Sequence, residues 1–285
     1  MYTTIISVEE LTASLTGKCV VMDCRFSLLD PDAGYQAYKT GHIPNAFYLH
    51  LDNDLSSPIT PSSGRHPLPD LDKFRNCLYS MGVTKETQVV VYDDCAGAMA
   101  ARAWWLISCL GHKAVAVLDG GFPAWQAAGG PESSMSATYL DELDASTCDF
   151  YSDDLLGDSL STSQVKGLIK EGAICLIDAR GAERFRGEVE PIDPIAGHIP
   201  GAVNRPLTDN IVNGFFKPTD RLRDEWLDLV ESENIKEVVH MCGSGITACH
   251  NLLAMRIAGL DGGKVYAGSW SEWIRDPKCD IATDE

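Results

Sequence analysis

The chain has no apolar run that approaches the ~18 residues of a membrane-spanning helix, so we expect no membrane segment. Its first residues, MYTTIISVEELTASL, show no basic segment followed by an apolar stretch, and a secretory signal is therefore not expected. Basic residues are in the minority, since 23 Lys and Arg against 41 Asp and Glu give a formal net charge of −18. Phosphate backbones would repel such a surface, which argues against nucleic-acid binding.

The ten cysteines form no CxxC pair, and no clustered Cys and His spacing indicates a metal site. Most are expected to be reduced thiols that pack as small apolar side chains, which predicts a cytoplasmic protein. We expect no metal and no cofactor. Because the net charge is negative, a small anionic substrate would need a locally positive pocket.

The 285 residues contain the same ordered series of motifs twice, which indicates a duplicated domain. Each half opens on a capping box, at Ser7 and at Ser161. A short apolar run then ends in DCR (23–25) or DAR (178–180), and GHIPNA (41–46) or GHIPGA (197–202) follows. A second apolar run and an aromatic motif, GGFPAW (120–125) or GSWSEW (268–273), complete each half.

Short, fully apolar strands that alternate with helical patterns are typical of a parallel sheet covered on both faces. We therefore predict an α/β fold with two tandem domains, each an open, mainly parallel sheet flanked by helices. The predicted boundaries are 1–128 for the first domain and 158–285 for the second. The stretch 129–157, rich in Ser, Asp and Gly, is interpreted as the linker.

The segment VVHMCGSGITACH (238–250) places Cys242 between a buried strand and a helical pattern. Open parallel sheets have their ligand sites at the carboxyl ends of the strands. Gly243 and Gly245 permit a tight path on which N–H groups converge on the sulfur, and the positive end of the next helix favours an anion. Thiols in such settings have pKa values lowered from ~8.5 to roughly 3.5–7.5, which predicts a nucleophilic thiolate at neutral pH.

The corresponding loop of the first half reads DDCAG (93–97), with Asp93 at the position of Cys242. Two like charges there replace the thiol and its glycine. The first domain is therefore predicted to lack the catalytic cysteine and to retain the scaffold. Cys95, two residues beyond the equivalent position, is interpreted as structural.

GHIPGA, the loop CGSGIT (242–247) and GSWSEW resemble the tandem-domain rhodanese sulfurtransferases, over nearly the whole chain. CGSGIT is similar to the CGSGVT loop of 3-mercaptopyruvate sulfurtransferases, whereas thiosulfate-using relatives typically carry basic residues there, as in CRKGVT. The resemblance implies that Cys242 takes a sulfane sulfur from a small anionic donor and holds it as a persulfide. The expected donor is 3-mercaptopyruvate, with thiosulfate as the alternative, and the expected acceptor is cyanide, a small thiol or a thioredoxin-like protein.

The resemblance also implies that Ser244 acts with a histidine and an aspartate of the first domain. The matching histidine is His42 of GHIPNA, and for the aspartate we favour Asp32 over Asp30 in the preceding loop. A structural alternative exists for the histidine. Because His198 occupies the same motif in the second half, the GHIP histidine could simply fix a turn.

Arg184 matches a substrate-binding arginine of the mercaptopyruvate enzymes, and a guanidinium suits a carboxylate or a sulfur oxyanion. A second family arginine would fall near Ile192 and is absent, and Arg65 of GRHPLP (64–69) could replace its charge. Arg186 is interpreted as half of a surface salt bridge. Substrate binding is also assigned to four residues of the cysteine loop: Gly243, Gly245, Ile246 and Thr247.

Two further hypotheses fit parts of the sequence. A cysteine phosphatase also uses a strand–loop–helix thiolate, but it needs an arginine where this chain has Thr247 or Ala248. A non-enzymatic rhodanese-like scaffold would suit the first half alone. The intact Cys242 loop argues against the scaffold, and the missing arginine argues against the phosphatase.

Overall fold

The computed structural model describes residues 1–140, 150, 158–230 and 238–283, which form two compact units. The first unit takes in Met1–Ser57 and Leu68–Leu156, and the second takes in Pro58–Pro67 and Gly157–Glu285. The sequence places 58–67 in the first domain, whereas the structure groups this segment with the second. Of the predicted linker 129–157, residues 141–149 and 151–157 lie outside the described residues.

The first unit contains a five-stranded parallel sheet with the order β1-β5-β4-β2-β3. Its strands are β1 (Ile5–Ile6), β2 (Cys19–Asp23), β3 (Phe47–Tyr48), β4 (Gln88–Tyr92) and β5 (Val115–Leu118). Its helices are α1 (Val8–Ser14), α2 (Ala33–Thr40), α3 (Leu71–Ser80), α4 (Ala100–Cys109) and α5 (Gly121–Ala127). Every residue of β4 is buried, as expected for a central strand that helices cover on both faces.

The second unit repeats this plan in a five-stranded parallel sheet with the order β6-β12-β11-β7-β8. Its strands are β6 (Ser159–Leu160), β7 (Cys175–Asp178), β8 (Val203–Asn204), β11 (Val238–Met241) and β12 (Lys264–Tyr266). Its helices are α6 (Thr162–Glu171), α7 (Ala182–Arg186), α8 (Thr219–Val230), α9 (Thr247–Ile257) and α10 (Ser269–Trp273). A 3₁₀ helix (Leu207–Asn210) precedes a small antiparallel hairpin of β9 (Ile211–Val212) and β10 (Phe215–Phe216). The predicted fold class is therefore confirmed.

Local signals read from the sequence start the matching helices in both units. The side chains of Ser7 and Ser161 form capping boxes with Glu10 and Gln164, which satisfy amides at the starts of α1 and α6. The hydrophobic core of each unit contains a tryptophan from the final aromatic motif, Trp125 in the first and Trp270 in the second, and both are fully buried. Burial of so large an apolar side chain supplies much of the stability of a small core.

A buried ion pair anchors the GHIP loop to the sheet in each unit. Arg25 binds Asp23 at 2.6 Å and donates to the carbonyl of the GHIP glycine at 2.7 Å. Arg180 binds Asp178 and the equivalent glycine carbonyl, each at 2.7 Å. A guanidinium can be buried here because each charge has a partner and each N–H that reaches the loop has an acceptor.

Nine of the cysteines lie among the described residues, and none of these nine is paired in a disulfide, while Cys148 lies outside them. Burial raises the pKa of several of them, to about 11 for Cys19 and Cys77, so these thiols stay protonated and unreactive at neutral pH. In the described part of the chain, no helix is long and apolar enough to cross a membrane.

Candidate active site

Cys242 follows the last residue of β11, which pairs in parallel with β7 on one side and β12 on the other. Its side chain is only 2% exposed. The position is the carboxyl end of a central parallel strand, where this class of sheet places its ligands. The register pairs Met241 with Asp178, and the first unit pairs Tyr92 with Asp23, so Cys242 and Asp93 hold equivalent places.

The loop after Cys242 turns two backbone amides towards the sulfur. The N–H of Gly245 donates to Sγ at 3.1 Å and that of Ser244 at 3.4 Å. Gly245 adopts a φ of +79°, and a Cβ there would lie 2.2 Å from the carbonyl oxygen of Ala267. Glycine is therefore required at this position on two counts, and the amides it directs would stabilise negative charge on the sulfur.

The GSWSEW motif fixes this loop from the other side. The N–H of Cys242 donates to Ser269 Oγ at 3.0 Å, and the N–H of Trp270 donates to the Cys242 carbonyl at 3.0 Å. The N–H of Ser271 donates to the Gly243 carbonyl at 2.9 Å. The CGSGIT and GSWSEW motifs therefore meet at the backbone of Cys242 and Gly243, and Ser269 is a positioning residue that the sequence reasoning did not identify.

The side chain of His66 lies against Ser244, with its Nδ1 atom 2.7 Å from Ser244 Oγ. Both side chains are buried. A hydroxyl that contacts an imidazole can pass a proton to or from a bound molecule. His66 belongs to the segment Pro58–Pro67 that packs with the second unit, and its only sequence signal is the polar loop GRHPLP.

The structure gives His42 a different set of contacts from those predicted. Its Nδ1 and Nε2 lie 2.6 and 3.1 Å from the carbonyl oxygens of Tyr38 and Met135, and its ring stacks on Tyr38 at 3.9 Å. His198 repeats this pattern, with Nδ1 2.8 Å from the Phe185 carbonyl and its ring stacked 3.9 Å from that of Phe185. The GHIP histidine thus makes the same turn-fixing contacts in both units, which supports the structural alternative, and His66 is the better partner for Ser244.

The remaining predicted residues lie in defined local settings. Asp32 is exposed at the N-cap of α2, where its side chain makes no capping hydrogen bond, and its catalytic assignment stays a prediction. Ile246 is buried at the N-cap of α9, and Thr247 is the first residue of that helix. Ile192 is exposed.

Two arginines lie above the backbone of the cysteine loop. A Cβ at Gly243 would be 2.8 Å from Nη2 of Arg65 and 3.6 and 3.7 Å from Nη2 and Nη1 of Arg184. Arg184 binds Glu190 at 2.7 Å and Asp193 at 3.3 Å, and Arg65 also binds Asp193. Two guanidinium groups therefore lie next to the residue that follows Cys242, and each is paired with an acidic side chain.

The carboxylate of Glu190, which binds Arg184, is held in its charged form. Burial opposes the ionisation of Glu190, but the backbone N–H of Asp193 and the Arg184 guanidinium outweigh it and lower the pKa of Glu190. The backbone N–H groups of Ile192 and Asp193 each donate to Glu190 at 3.0 Å. The acidic loop 190–193 therefore works as a support that orients Arg184.

Asp93 fills the equivalent loop of the first unit by itself. Its buried carboxylate accepts four backbone N–H groups at 2.8–2.9 Å, from Cys95, Gly97, Met99 and Ala100. Burial and the nearby Asp93 charge raise the pKa of the Cys95 thiol, which agrees with its interpretation as structural. This strand-end loop therefore holds an anion in both units when Cys242 is a thiolate, and only the second unit offers a nucleophile there.

Comparison with known proteins identifies the family. A rhodanese-like domain model matches residues 7–128 and 161–276. A probable 3-mercaptopyruvate sulfurtransferase of Pseudomonas aeruginosa is 43% identical over 290 residues, which are 99% of this chain and 98% of that protein. A putative thiosulfate sulfurtransferase of Mycobacterium tuberculosis is 38% identical over 260 residues, 90% of this chain and 88% of that protein.

Solved structures agree. The 3-mercaptopyruvate sulfurtransferase from Leishmania major superimposes with a TM-score of 0.81 at 29% identity and covers 95% of this chain and 74% of its own. The corresponding Escherichia coli structure gives a TM-score of 0.79 at 29% identity and covers 95% of this chain and 100% of its own. The chain therefore belongs to the rhodanese family, as its resemblance implied. The prediction that it is an enzyme of the sulfurtransferase class is likewise confirmed.

Proposed function

We propose that this protein takes a sulfane sulfur from 3-mercaptopyruvate, holds it on Cys242 as a persulfide and passes it to an acceptor. The observation that carries the proposal is the Cys242 loop, where two amides point at a strand-end sulfur and two guanidinium groups lie next to Gly243. This arrangement suits a nucleophilic sulfur that must attack an anion. The names of relatives in Pseudomonas, mouse and Escherichia coli support the choice of donor.

The proposed step forms a bond between Cys242 Sγ and the donor sulfur and breaks the donor's sulfur–carbon bond. The electron pair of that bond passes into the pyruvate enolate, which takes up one proton at its methylene carbon. The donor thiol supplies this proton overall, so the persulfide is left as an anion and no oxidant is required. Amides that face the sulfur would stabilise this charge as they would the thiolate.

Ser244 and His66 are placed for the proton transfer that the enolate needs. With Ser244 Oγ 2.7 Å from His66 Nδ1, the hydroxyl can give a proton to the substrate while the imidazole restores it. The backbone N–H of Ser244 also donates to the Cys242 sulfur, so the hydroxyl belongs to a residue that already contacts the reacting atom. We therefore assign the general acid role to this pair.

Arg184 is proposed to bind the donor carboxylate. Its guanidinium is held by Glu190, its side chain remains 20% exposed, and two of its nitrogens lie close to Gly243. A fork of N–H donors matches a carboxylate in a bidentate geometry. Thiosulfate is the second candidate donor, because a relative that is 38% identical over 90% of the chain is named for it and guanidinium groups also bind sulfur oxyanions.

The acceptor is proposed to be cyanide, a small thiol or a thioredoxin-like protein. In each case the acceptor's sulfur or carbon attacks the outer persulfide sulfur and regenerates the Cys242 thiolate. A thiol acceptor fits a reducing, cytoplasmic setting, which nine cysteines without a disulfide among the described residues favour.

A single-turnover experiment tests this proposal. The wild-type protein is treated with one equivalent of 3-mercaptopyruvate or of thiosulfate, and peptide mass spectrometry then measures sulfur on Cys242. With 3-mercaptopyruvate we expect one added sulfur atom on Cys242 and an equal amount of pyruvate. In steady state, kcat/KM should be higher for 3-mercaptopyruvate than for thiosulfate. Cys242→Ser should lose the adduct, and the matched control Cys249→Ser should retain it. A preference for thiosulfate would reverse the choice of donor, and no adduct from either would end the proposal.

A further inference from the structure

Arg65 reaches the cysteine loop more closely than Arg184 does. A Cβ built at Gly243 would lie 2.8 Å from Arg65 Nη2 and 3.6 Å from the nearest Arg184 nitrogen. The lack of a side chain at Gly243 is what admits this guanidinium. Arg65 therefore lies beside the residue adjacent to the nucleophile, although it comes from a segment far from Cys242 in the sequence.

The segment that carries Arg65 is fixed to the same motif that fixes the loop. The N–H of Arg65 donates to Ser271 Oγ at 3.0 Å. At the neighbouring Gly64, a Cβ would lie 2.7 Å from the Gly268 carbonyl and 2.8 Å from Ser271 Oγ, so the two backbones are in close contact. The position of Arg65 is thus set by packing, which is how a binding residue is held in place.

Asp193 shows that one carboxylate can span both arginines. It binds Arg65 with one oxygen and Arg184 with the other. The side chains of both arginines are 20% exposed, whereas that of Asp193 is 3% exposed, so the arginines retain an accessible face. The nitrogen of Arg65 that lies nearest Gly243 is Nη2, whereas its Nε is buried. The pair therefore has both the spacing and the donor capacity for a second carboxylate.

We propose that Arg65 binds the carboxylate of the sulfur donor jointly with Arg184. The inference rests on the proposed function, because it names a further residue that recognises that donor. Ile192 stands where the resemblance implies a second arginine, and Arg65 supplies the charge from a different segment. A two-guanidinium clamp would favour a donor with a planar carboxylate, since the Arg fork matches its geometry.

A pair of alkylating reagents tests the clamp without use of any sulfur donor. Iodoacetate carries a carboxylate, iodoacetamide is its neutral analogue, and both transfer a carbon to Cys242 Sγ with loss of iodide. We expect Arg65→Met to lower the ratio of the iodoacetate rate to the iodoacetamide rate by roughly tenfold to 100-fold, the worth of a hydrogen bond to a charged group. Arg184→Met should lower it similarly, and Arg65→Lys should lower it less.

Arg186→Met is the matched control, because Arg186 is exposed and pairs with Glu188 at 2.7 Å. Its rate ratio should equal that of the wild type. General damage to the loop would slow both reagents together and leave the ratio unchanged. In steady state, Arg65→Met should raise the KM for 3-mercaptopyruvate more than it lowers kcat.

The outcomes separate this inference from the proposed function. An unchanged rate ratio and an unchanged KM in Arg65→Met would overturn the role of Arg65, while wild-type transfer from 3-mercaptopyruvate would still uphold the function. A lowered ratio in a protein that does not use 3-mercaptopyruvate would uphold the anion clamp and overturn the donor assignment.

Discussion

Gly245→Ala isolates the backbone geometry of the cysteine loop from every functional side chain. At a φ of +79° an alanine costs about 1–2 kcal/mol relative to glycine. Its Cβ would also lie 2.2 Å from the Ala267 carbonyl oxygen, about 1 Å closer than ordinary contact allows. The backbone fixes the position of a Cβ, and the carbonyl oxygen is itself a backbone atom. The loop itself must therefore move.

That movement would displace the atoms that hold the sulfur. The Gly245 N–H donates to Cys242 Sγ at 3.1 Å, and the Gly245 carbonyl accepts from Cys249 Sγ at 3.3 Å. A displacement of ~1 Å in a reacting group can cost about 100-fold in rate. We therefore expect kcat/KM for the donor to fall by about 100-fold, with a parallel fall in the iodoacetamide rate at Cys242.

Gly214→Ala provides the control for conformational cost alone. Gly214 has a φ of +84° at the tip of the β9–β10 hairpin, and a Cβ there would meet no atom within 4 Å. Urea unfolding should show a loss of about 1–2 kcal/mol with unchanged turnover. If Gly245→Ala had the same turnover and alkylation rate as Gly214→Ala, the argument that loop amides position the sulfur would fail.

Three further results are expected. His66→Gln should lower kcat by roughly 100-fold or more through loss of proton transfer, whereas His42→Gln should lower the free energy of unfolding and spare kcat in the folded enzyme. In Asp93→Asn an NH₂ group replaces one of the two oxygens, so two of the four backbone N–H donors lose their acceptor. Urea unfolding should show a free energy of unfolding lower by about 3 kcal/mol or more, with the exposed Asp94→Asn as the control. Burial lowers the pKa of His240 to about 3, so the folded state binds fewer protons than the unfolded state below pH 6.5. Stability should fall by about 2 kcal/mol between pH 6.5 and 5, and His240→Gln should flatten that fall; an equal slope in the variant would refute the assignment.

The elements that the sequence predicted well are those that repeat or follow local rules. Capping boxes at Ser7 and Ser161, the apolar strands and the paired GHIP motifs depend on neighbours within a few residues. The equivalence of Asp93 and Cys242 was likewise predicted from motif order, and the strand registers agree with it. Duplication helped, because each half served as a check on the other.

The sequence did not identify His66, and it named Arg65 only as a replacement for the charge of an absent arginine. Both residues come from segment 58–67, which has no periodic pattern and packs with the second unit. Neither His66 nor Arg65 is near Cys242 in the chain, and their positions depend on backbone contacts such as that of Arg65 N–H with Ser271. The catalytic role was assigned to His42 because the GHIP motif is more distinctive than the GRHPLP loop that contains His66. Its repetition in His198 was the signal that pointed to a structural role, because a catalytic role has no reason to recur in both halves.

The two strand-end loops hold the same kind of group and differ in what that group can do. In the first unit, the two oxygens of Asp93 satisfy four amides, and the carboxylate has no electron pair that is both free and nucleophilic towards sulfur. In the second unit, a single sulfur accepts two longer hydrogen bonds from Ser244 and Gly245. A carboxylate at this position need not cost the fold, since it accepts the backbone amides and keeps them paired. The end of this strand therefore presents amides to one side-chain acceptor in both units, and reactivity depends on whether that acceptor is sulfur.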